Sequence, residues 1–218
     1  MRIDKGTLCS SPFIGVFSVV TEELALMPFS ILPKEERKLS DFFGVEIIKT
    51  KLAESSLIGV MCAGIKKRFV VSELVLDSEI KKLEEIGVKV KRIAGVTAIG
   101  NLIKVNENGG IASRVLNNKQ IMEIEKFLGI KLHVMQVASL DIVGSAVVAS
   151  NRGFLVHPDV TKDEFKLLKE AFKVDGRPTT LNYGDKFVGN NAVANTNAIL
   201  VGDKTTAFEL IRVQDVFL

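Results

Sequence analysis

The stretch VGSAVVASNRGFLVH, from Val143 to His157, returns with small changes as VGNNAVANTNAILVG, from Val188 to Gly202. Both copies open on Val-Gly, continue through Val-Ala and a polar turn, and end on Leu-Val. An apolar residue followed by glycine opens five such copies along the chain. Their glycines are Gly15, Gly59, Gly100, Gly144 and Gly189, separated by 44, 41, 44 and 45 residues. A nearly constant period over a whole chain indicates a repeat protein.

Each copy follows one order of patterns. An apolar run after the glycine, such as residues 16–20 or 146–149, predicts a buried strand. A polar turn and a second apolar run follow, and then a stretch with the period of an amphipathic helix. Thr161 with Glu164 fits a capping box. The other start signals are Asp77 and Asn117, and the stop signals are Gly44, Gly87 and Gly129. A last apolar run completes a ββαβ unit.

The fifth copy is shorter than the others, because the chain ends where its helix, roughly residues 206–217, should end. We expect the N-terminal segment to supply the missing strand and close the units on themselves. Since one unit cannot bury its apolar face alone, the repeats predict a single domain over residues 1–218. The predicted units are residues 11–53, 54–96, 97–140, 141–186, and 187–218 together with 1–10.

Composition limits the classes of function. The hydrophobic fraction of 47% allows a large core, and the net charge of +3 permits an RNA-rich partner without requiring one. No apolar stretch approaches the ~20 residues of a membrane span, and the N-terminus has no signal-peptide core. Two cysteines without metal-ligand spacing favour a reducing compartment, so we expect a cytoplasmic protein.

Five ββαβ units closing on themselves are typical of the pentein fold, an α/β propeller with pseudo-fivefold symmetry. Within that fold the chain resembles the translation initiation factor 6 family, in particular its archaeal members. The resemblance runs from residue 14 to 217. The strings that carry it are SLIGVMC (56–62), TAIGN (97–101), VGSAVVASNRGFLVHP (143–158) and GDKTTAFELIRVQDVF (202–217).

The resemblance implies a factor that binds the intersubunit face of the large ribosomal subunit and blocks joining of the small subunit by steric exclusion. Its implied contact is a universal ribosomal protein beside the sarcin-ricin loop of the ribosomal RNA, with direct RNA contact left open. It implies no catalytic residue, cofactor or metal. We expect a monomer that binds neither membrane nor DNA.

The candidate ribosome-binding residues follow the opening glycines, because equivalent positions of a closed ring share one face. They are Asn101, Ser145, Asn190, Asn191, Val60 and Ala146. By resemblance, Asn101, Val60 and Ala146 match family contact positions, although some relatives carry larger polar residues at the last two. The polar four are the stronger candidates. Each could instead satisfy backbone groups at the entry to a strand, a common use of Asn and Ser.

Two other classes of function remain open at this stage. Some penteins modify guanidino compounds with a Cys nucleophile and a His base, and this chain offers Cys9, Cys62, His133 and His157. However, the last repeat has no cysteine, Cys62 lies in an apolar run typical of a core position, and His157 precedes a proline in a turn. An RNA binder could instead use the basic residues 66–68, 89, 91 and 92.

Overall fold

The computed structural model describes all residues from Met1 to Leu218. It is a mixed α/β structure with five small sheets of three strands each. The strands are β1 (Arg2–Gly6), β2 (Val19–Val20), β3 (Leu24–Pro28), β4 (Glu46–Thr50), β5 (Cys62–Ile65), β6 (Arg68–Val71), β7 (Lys89–Arg92), β8 (Ile103–Asn106), β9 (Gly109–Ala112), β10 (Leu132–Val134), β11 (Val147–Ala149), β12 (Phe154–Val156), β13 (Gly176–Pro178), β14 (Ala192–Ala194) and β15 (Ala198–Gly202).

The ten helices alternate between two kinds, a single turn and a longer amphipathic helix. The short ones are α1 (Ile14–Phe17), α3 (Ile58–Met61), α5 (Ile99–Leu102), α7 (Val143–Ala146) and α9 (Val188–Asn191). The long ones are α2 (Pro33–Phe43), α4 (Asp77–Glu85), α6 (Asn118–Leu128), α8 (Lys162–Phe172) and α10 (Ala207–Phe217).

Every sheet combines an antiparallel hairpin with a parallel third strand. In the first repeat β2 pairs antiparallel with β3, and β4 returns after α2 to pair parallel with β3, Leu24 opposite Glu46. The next three repeats use the same order, β5-β6-β7, β8-β9-β10 and β11-β12-β13. The predicted ββαβ unit is therefore present in each of them, with a short helix added in front.

The fifth sheet takes its third strand from the other end of the chain. Here β1 pairs parallel with β15, from Arg2 opposite Ala198 to Gly6 opposite Gly202. This confirms that the N-terminal segment supplies the strand that the truncated fifth repeat lacks.

The short helices correct the predicted start of the first strand. Residues directly after each glycine were expected to be extended, yet they form the single-turn helices, and the strands begin later, at Val19 or Val147 for example. A four-residue helix is too short to be stable on its own or to show a helical period. Contacts with the neighbouring repeats hold it in place.

Each short helix contacts two others. The order of contact is α1, α3, α5, α7 and α9, and α9 also contacts α1. The contact is made by the glycines, since a methyl group added at any of the five would overlap the carbonyl oxygen of the equivalent glycine one repeat earlier. At Gly15 that neighbour is Gly189. The first and last repeats therefore meet as closely as consecutive ones do.

The hydrophobic core is divided among the boundaries between repeats. Each of its five clusters draws buried side chains from two repeats. One joins Val70 of the second repeat to Ile124 of the third, and another joins Val193 of the fifth to Phe43 of the first. Phe217 is fully buried, whereas Leu218 after it is 69% exposed. No helix of the structure combines the length and apolarity that crossing a bilayer would demand.

The predicted helix boundaries agree with the structure at most positions. Asn117 and Thr161 are N-caps that accept from the backbone N–H three residues later. Gly44 and Gly129 end their helices in the left-handed conformation. Asp77 was wrong as an N-cap, because it is the first helical residue. The Leu76 N–H before it donates to Glu79 Oε2, so a carboxylate inside the helix does the capping.

Candidate functional site

The five short helices place equivalent residues at one end of the molecule. Successive helices meet through the same glycine contact. Each repeat is therefore related to the next in the same way, and equivalent residues lie at the same end of the molecule. The N-cap residue of each helix, two positions before the glycine, is apolar in every repeat. These residues are Phe13, Leu57, Ala98, Ile142 and Phe187.

We call these five residues the N-cap surface. Phe13 and Ile142 are 41% and 38% exposed, and the other three are partly exposed. The short helices behind the N-cap surface carry no acidic or basic residue in their first or last turns. The N-cap residues and the helices behind them are therefore uncharged, and the charged residues nearest in sequence are Asp141, before Ile142, and Lys186, before Phe187.

Asn101 lies in α5 directly after Gly100 and is partly exposed. Its Oδ1 accepts a hydrogen bond of 3.1 Å from the Ser145 hydroxyl of the next repeat. Since Oδ1 is engaged, the side-chain amide is held in one orientation, and its Nδ2 group donates no hydrogen bond within the protein. Ser145 therefore positions Asn101 with two N–H donors left for a partner.

The six predicted site residues separate by depth. Val60, Asn101 and Asn190 are partly exposed, whereas Ser145, Ala146 and Asn191 are buried. The Asn191 amide donates to the Phe187 carbonyl oxygen at 3.1 Å, and its Oδ1 accepts from Asn182 Nδ2 at 2.6 Å. These bonds are those of a structural asparagine. Ser145 and Ala146 are also buried, so none of the three side chains lies at the surface.

Asn182 links the end of the fourth repeat to the start of the first repeat and to α9, next to this surface. Its Nδ2 also donates to the Pro12 carbonyl oxygen at 2.9 Å, linking the fourth-to-fifth repeat connection to the first repeat just before Phe13. Neither Asn182 nor the N-cap surface was among the sequence candidates. The N-cap residues do have a sequence signal, because an apolar residue precedes each opening glycine by two positions.

Comparison with known proteins identifies the family. The model of the eIF-6 family matches residues 3–216. The chain belongs to the eIF-6 family. It is 32% identical to the translation initiation factor 6 of Pyrococcus horikoshii, covering 99% of this chain and 98% of that protein. The factors of Staphylothermus marinus and Sulfolobus acidocaldarius are 31% and 32% identical over 98% and 100% of this chain, covering 96% and 99% of their own lengths.

The cysteines of this eIF-6 family member do not form the site that a pentein hydrolase uses. Cys62 is 1% exposed in β5, and burial alone raises the pKa of its thiol far above the usual range. No neighbouring base or cation counters that effect, so the thiol stays protonated. Cys9 is exposed, and its Sγ lies 3.6 Å from Ser30 Oγ. The relatives of this chain are named translation initiation factor 6, and no catalytic activity is part of that name.

The two histidines are also placed as structural residues. Nδ1 of His157 accepts a hydrogen bond of 3.2 Å from the Asp159 N–H, which confirms its predicted role in a turn. Burial is the main cause that lowers the pKa of His157, which favours the neutral form that accepts this bond. His133 is partly exposed in β10. No group of three or more His, Cys, Asp or Glu side chains could hold a metal ion.

The basic residues considered for RNA binding are partly paired within this eIF-6 protein. Lys66 Nζ lies 3.5 Å from Glu107 Oε2, and Lys91 Nζ lies 2.8 Å from Glu123 Oε1. The Arg68 guanidinium donates to the Phe127 carbonyl oxygen at 3.2 Å. These internal contacts leave fewer basic side chains free to bind RNA phosphates than the sequence alone indicates.

Proposed function

We propose that this chain binds the large ribosomal subunit at its intersubunit face and prevents the small subunit from joining by occupying the same space. Membership of the eIF-6 family supports a role in translation initiation. Steric exclusion needs only a bound body of sufficient size, so it makes no demand for a nucleophile, a metal or a cofactor.

The fold that presents the site is, in our proposal, a single closed pentein propeller of five repeats over residues 1–218, acting as a cytoplasmic monomer. Three contacts between the ends of the chain support closure. These are the contact between α1 and α9, the pairing of β1 with β15, and the hydrogen bond of 3.3 Å from Asn195 Nδ2 to the Thr21 carbonyl oxygen. A closed assembly also leaves no terminal repeat with an uncovered apolar face.

The N-cap surface is the observation that carries the docking proposal. The five residues of the N-cap surface are apolar and partly exposed, which fits the core of a protein interface, and nearby charged residues such as Asp141 and Lys186 fit its polar rim. RNA phosphates would instead require a cluster of unpaired lysine and arginine. The proposed partner is therefore the universal ribosomal protein beside the sarcin-ricin loop. Val60, Asn101 and Asn190 each follow an N-cap residue by three positions and would supply the edge of the contact.

Ser145, Ala146 and Asn191 act from below in this proposal. Ser145 orients Asn101, and Asn191 binds the backbone of Phe187, one of the N-cap residues. Their replacement would weaken binding through the shape of the surface and not through a lost direct contact.

The first test is co-sedimentation with isolated large and small ribosomal subunits, together with light scattering of subunit joining. Ile142→Asp places a charge on the N-cap surface at a side chain that is already 38% exposed, so the change leaves the buried core intact. Desolvating that charge should weaken binding to the large subunit by about 30-fold or more. Met122→Asp is the matched control, because Met122 is 68% exposed on α6, away from the short helices.

Asn101→Ala tests the proposed donor. Loss of one hydrogen bond should weaken binding by about 5- to 10-fold. Ser145→Ala, which keeps the Asn101 donor and frees its orientation, should have a smaller effect in the same direction. Pelleting with both subunits alike, or equal losses for Ile142→Asp and Met122→Asp, would contradict the proposed surface.

A further inference from the structure

A small cavity of about 50 Å³ is lined by residues from all five repeats. Part of its wall is the position four residues after each opening glycine. That position holds Val19, Ala63, Lys104, Val148 and Val193. Four of the five are apolar, and glycines or other small residues provide much of the remaining wall. Lys104 is the single charged side chain that lines the cavity.

Lys104 has no charged partner of its own. It lies in β8 between the buried residues Ile103 and Val105, and it is partly exposed, to the cavity that it lines. Burial lowers the pKa of its amino group to about 8, and no carboxylate acts against that effect. At neutral pH the group is still largely protonated, so an ammonium without a carboxylate partner faces the cavity.

The nearest titratable groups are engaged elsewhere. An adjoining recess is lined by Glu22, Lys66 and Glu107. The Glu22 carboxylate accepts from the Thr196 N–H at 3.0 and 3.1 Å, and Glu107 pairs with Lys66. Cys62, which also lines the cavity, is a neutral thiol because burial raises its pKa. None of these groups neutralises Lys104.

We propose that this cavity binds a small monovalent anion of the halide type, held by the Lys104 ammonium. The ammonium faces a confined cavity without a carboxylate, and an anion beside Lys104 would supply the opposite charge there. The volume has room for on the order of three or four water-sized groups, so a bare halide fits and a tetrahedral oxyanion with its own hydration does not.

The site is independent of the proposed ribosome contact, because the cavity lies between the repeats and not on the N-cap surface. It would stabilise the fold at the point where all five repeats meet. Lys104→Met removes the charge while keeping an apolar chain of similar length, at a position where the other repeats carry valine or alanine. The variant is therefore expected to fold.

The test is thermal unfolding in chloride or bromide against gluconate at constant ionic strength. A halide concentration ten times the dissociation constant should raise the Tm of the unmodified protein by about 3 to 6 °C, with saturation. Lys104→Met should show no halide-specific rise. Lys81→Met, which removes an exposed lysine, should respond like the unmodified protein. The halide effect should also fade at pH 9.5, where Lys104 is largely neutral.

Crystals of the unmodified protein grown in bromide supply a second readout that needs no variant. An anomalous peak within hydrogen-bond distance of Lys104 Nζ is expected. The same halide response in all three proteins, no response in the unmodified protein, or a cavity without a bromide peak would each overturn the proposal.

Discussion

Replacing Gly100 by alanine should destabilise the protein severely, although alanine is the better helix former. A methyl group added at Gly100 would lie 2.8 Å from the Cys62 carbonyl oxygen and closer still to that of Gly59. Ordinary van der Waals contact begins near 3.4 Å, so the two repeats would have to separate by at least about 0.6 Å. Both obstacles are backbone atoms, which cannot rotate aside as a side chain can.

A gap of that size forfeits a quarter to a half of each contact energy across the boundary. The cost of such overpacking is typically about 1 to 3 kcal/mol, and we expect Gly100→Ala to cost about 3 kcal/mol or more because the strain spreads to both neighbours. For a protein of this size that loss corresponds to a fall in Tm of about 6 to 12 °C.

The control is Gly87→Ala, measured in the same urea-unfolding assay. Gly87 has a φ of +82°, and a methyl group there would meet nothing within 4 Å. Its cost is therefore conformational strain alone, about 1 kcal/mol. A Gly100→Ala protein within 1 kcal/mol of Gly87→Ala in its free energy of unfolding would refute the argument that glycine contacts join the repeats.

Three further predictions rest on buried polar groups and on the thiols. Burial raises the pKa of the Glu209 carboxyl, but hydrogen bonds from the backbone and from threonine hydroxyls outweigh it, so the net pKa is lowered. This carboxylate thus stabilises the fold above its unfolded pKa of about 4.3 and loses that contribution as the pH falls through the lower folded value. Glu209→Gln should accordingly flatten the acid limb of the stability profile measured by urea unfolding between pH 5 and 3, and an unchanged limb would speak against this role. Asn106 is buried, and its Nδ2 donates at 2.9 Å to the carbonyl oxygens of Ser150 and of Phe172. Asn106→Ala should reduce the free energy of unfolding by about 2 to 3 kcal/mol, whereas a loss below 1 kcal/mol would mean that water replaces the amide. In a thiol titration of the native protein one cysteine, Cys9, should react promptly and Cys62 only after unfolding, and prompt reaction of both would show that β5 opens readily.

Much of the fold was predictable from the sequence because it depends on local patterns. The five glycines gave the number of repeats, and the alternation of apolar runs with helical periods gave the order of strands and long helices. Asn117, Thr161, Gly44 and Gly129 marked helix ends correctly, since capping is decided within a few residues. The missing strand of the fifth repeat also followed from counting residues within the period.

The turns that precede the short helices could not be predicted from local residue type. Each of four repeat boundaries contains two successive residues with positive φ, a conformation that usually selects Gly or Asn. The pairs are Cys9-Ser10, Ala53-Glu54, Ala138-Ser139 and Asn182-Tyr183. Tertiary hydrogen bonds stabilise them, as where the Glu79 carboxylate accepts from the N–H groups of Ala53 and Glu54.

The repeat, its elements and the family could be read from the sequence, because period, capping and motif are properties of neighbouring residues. Which residues after the glycines reach the surface depends instead on tertiary packing. Asn101 and Asn191 occupy neighbouring positions of equivalent helices, yet one is partly exposed and the other is buried. Depth in this fold is set by the packing of each repeat against the next, and packing between distant segments leaves no trace in the local pattern of either.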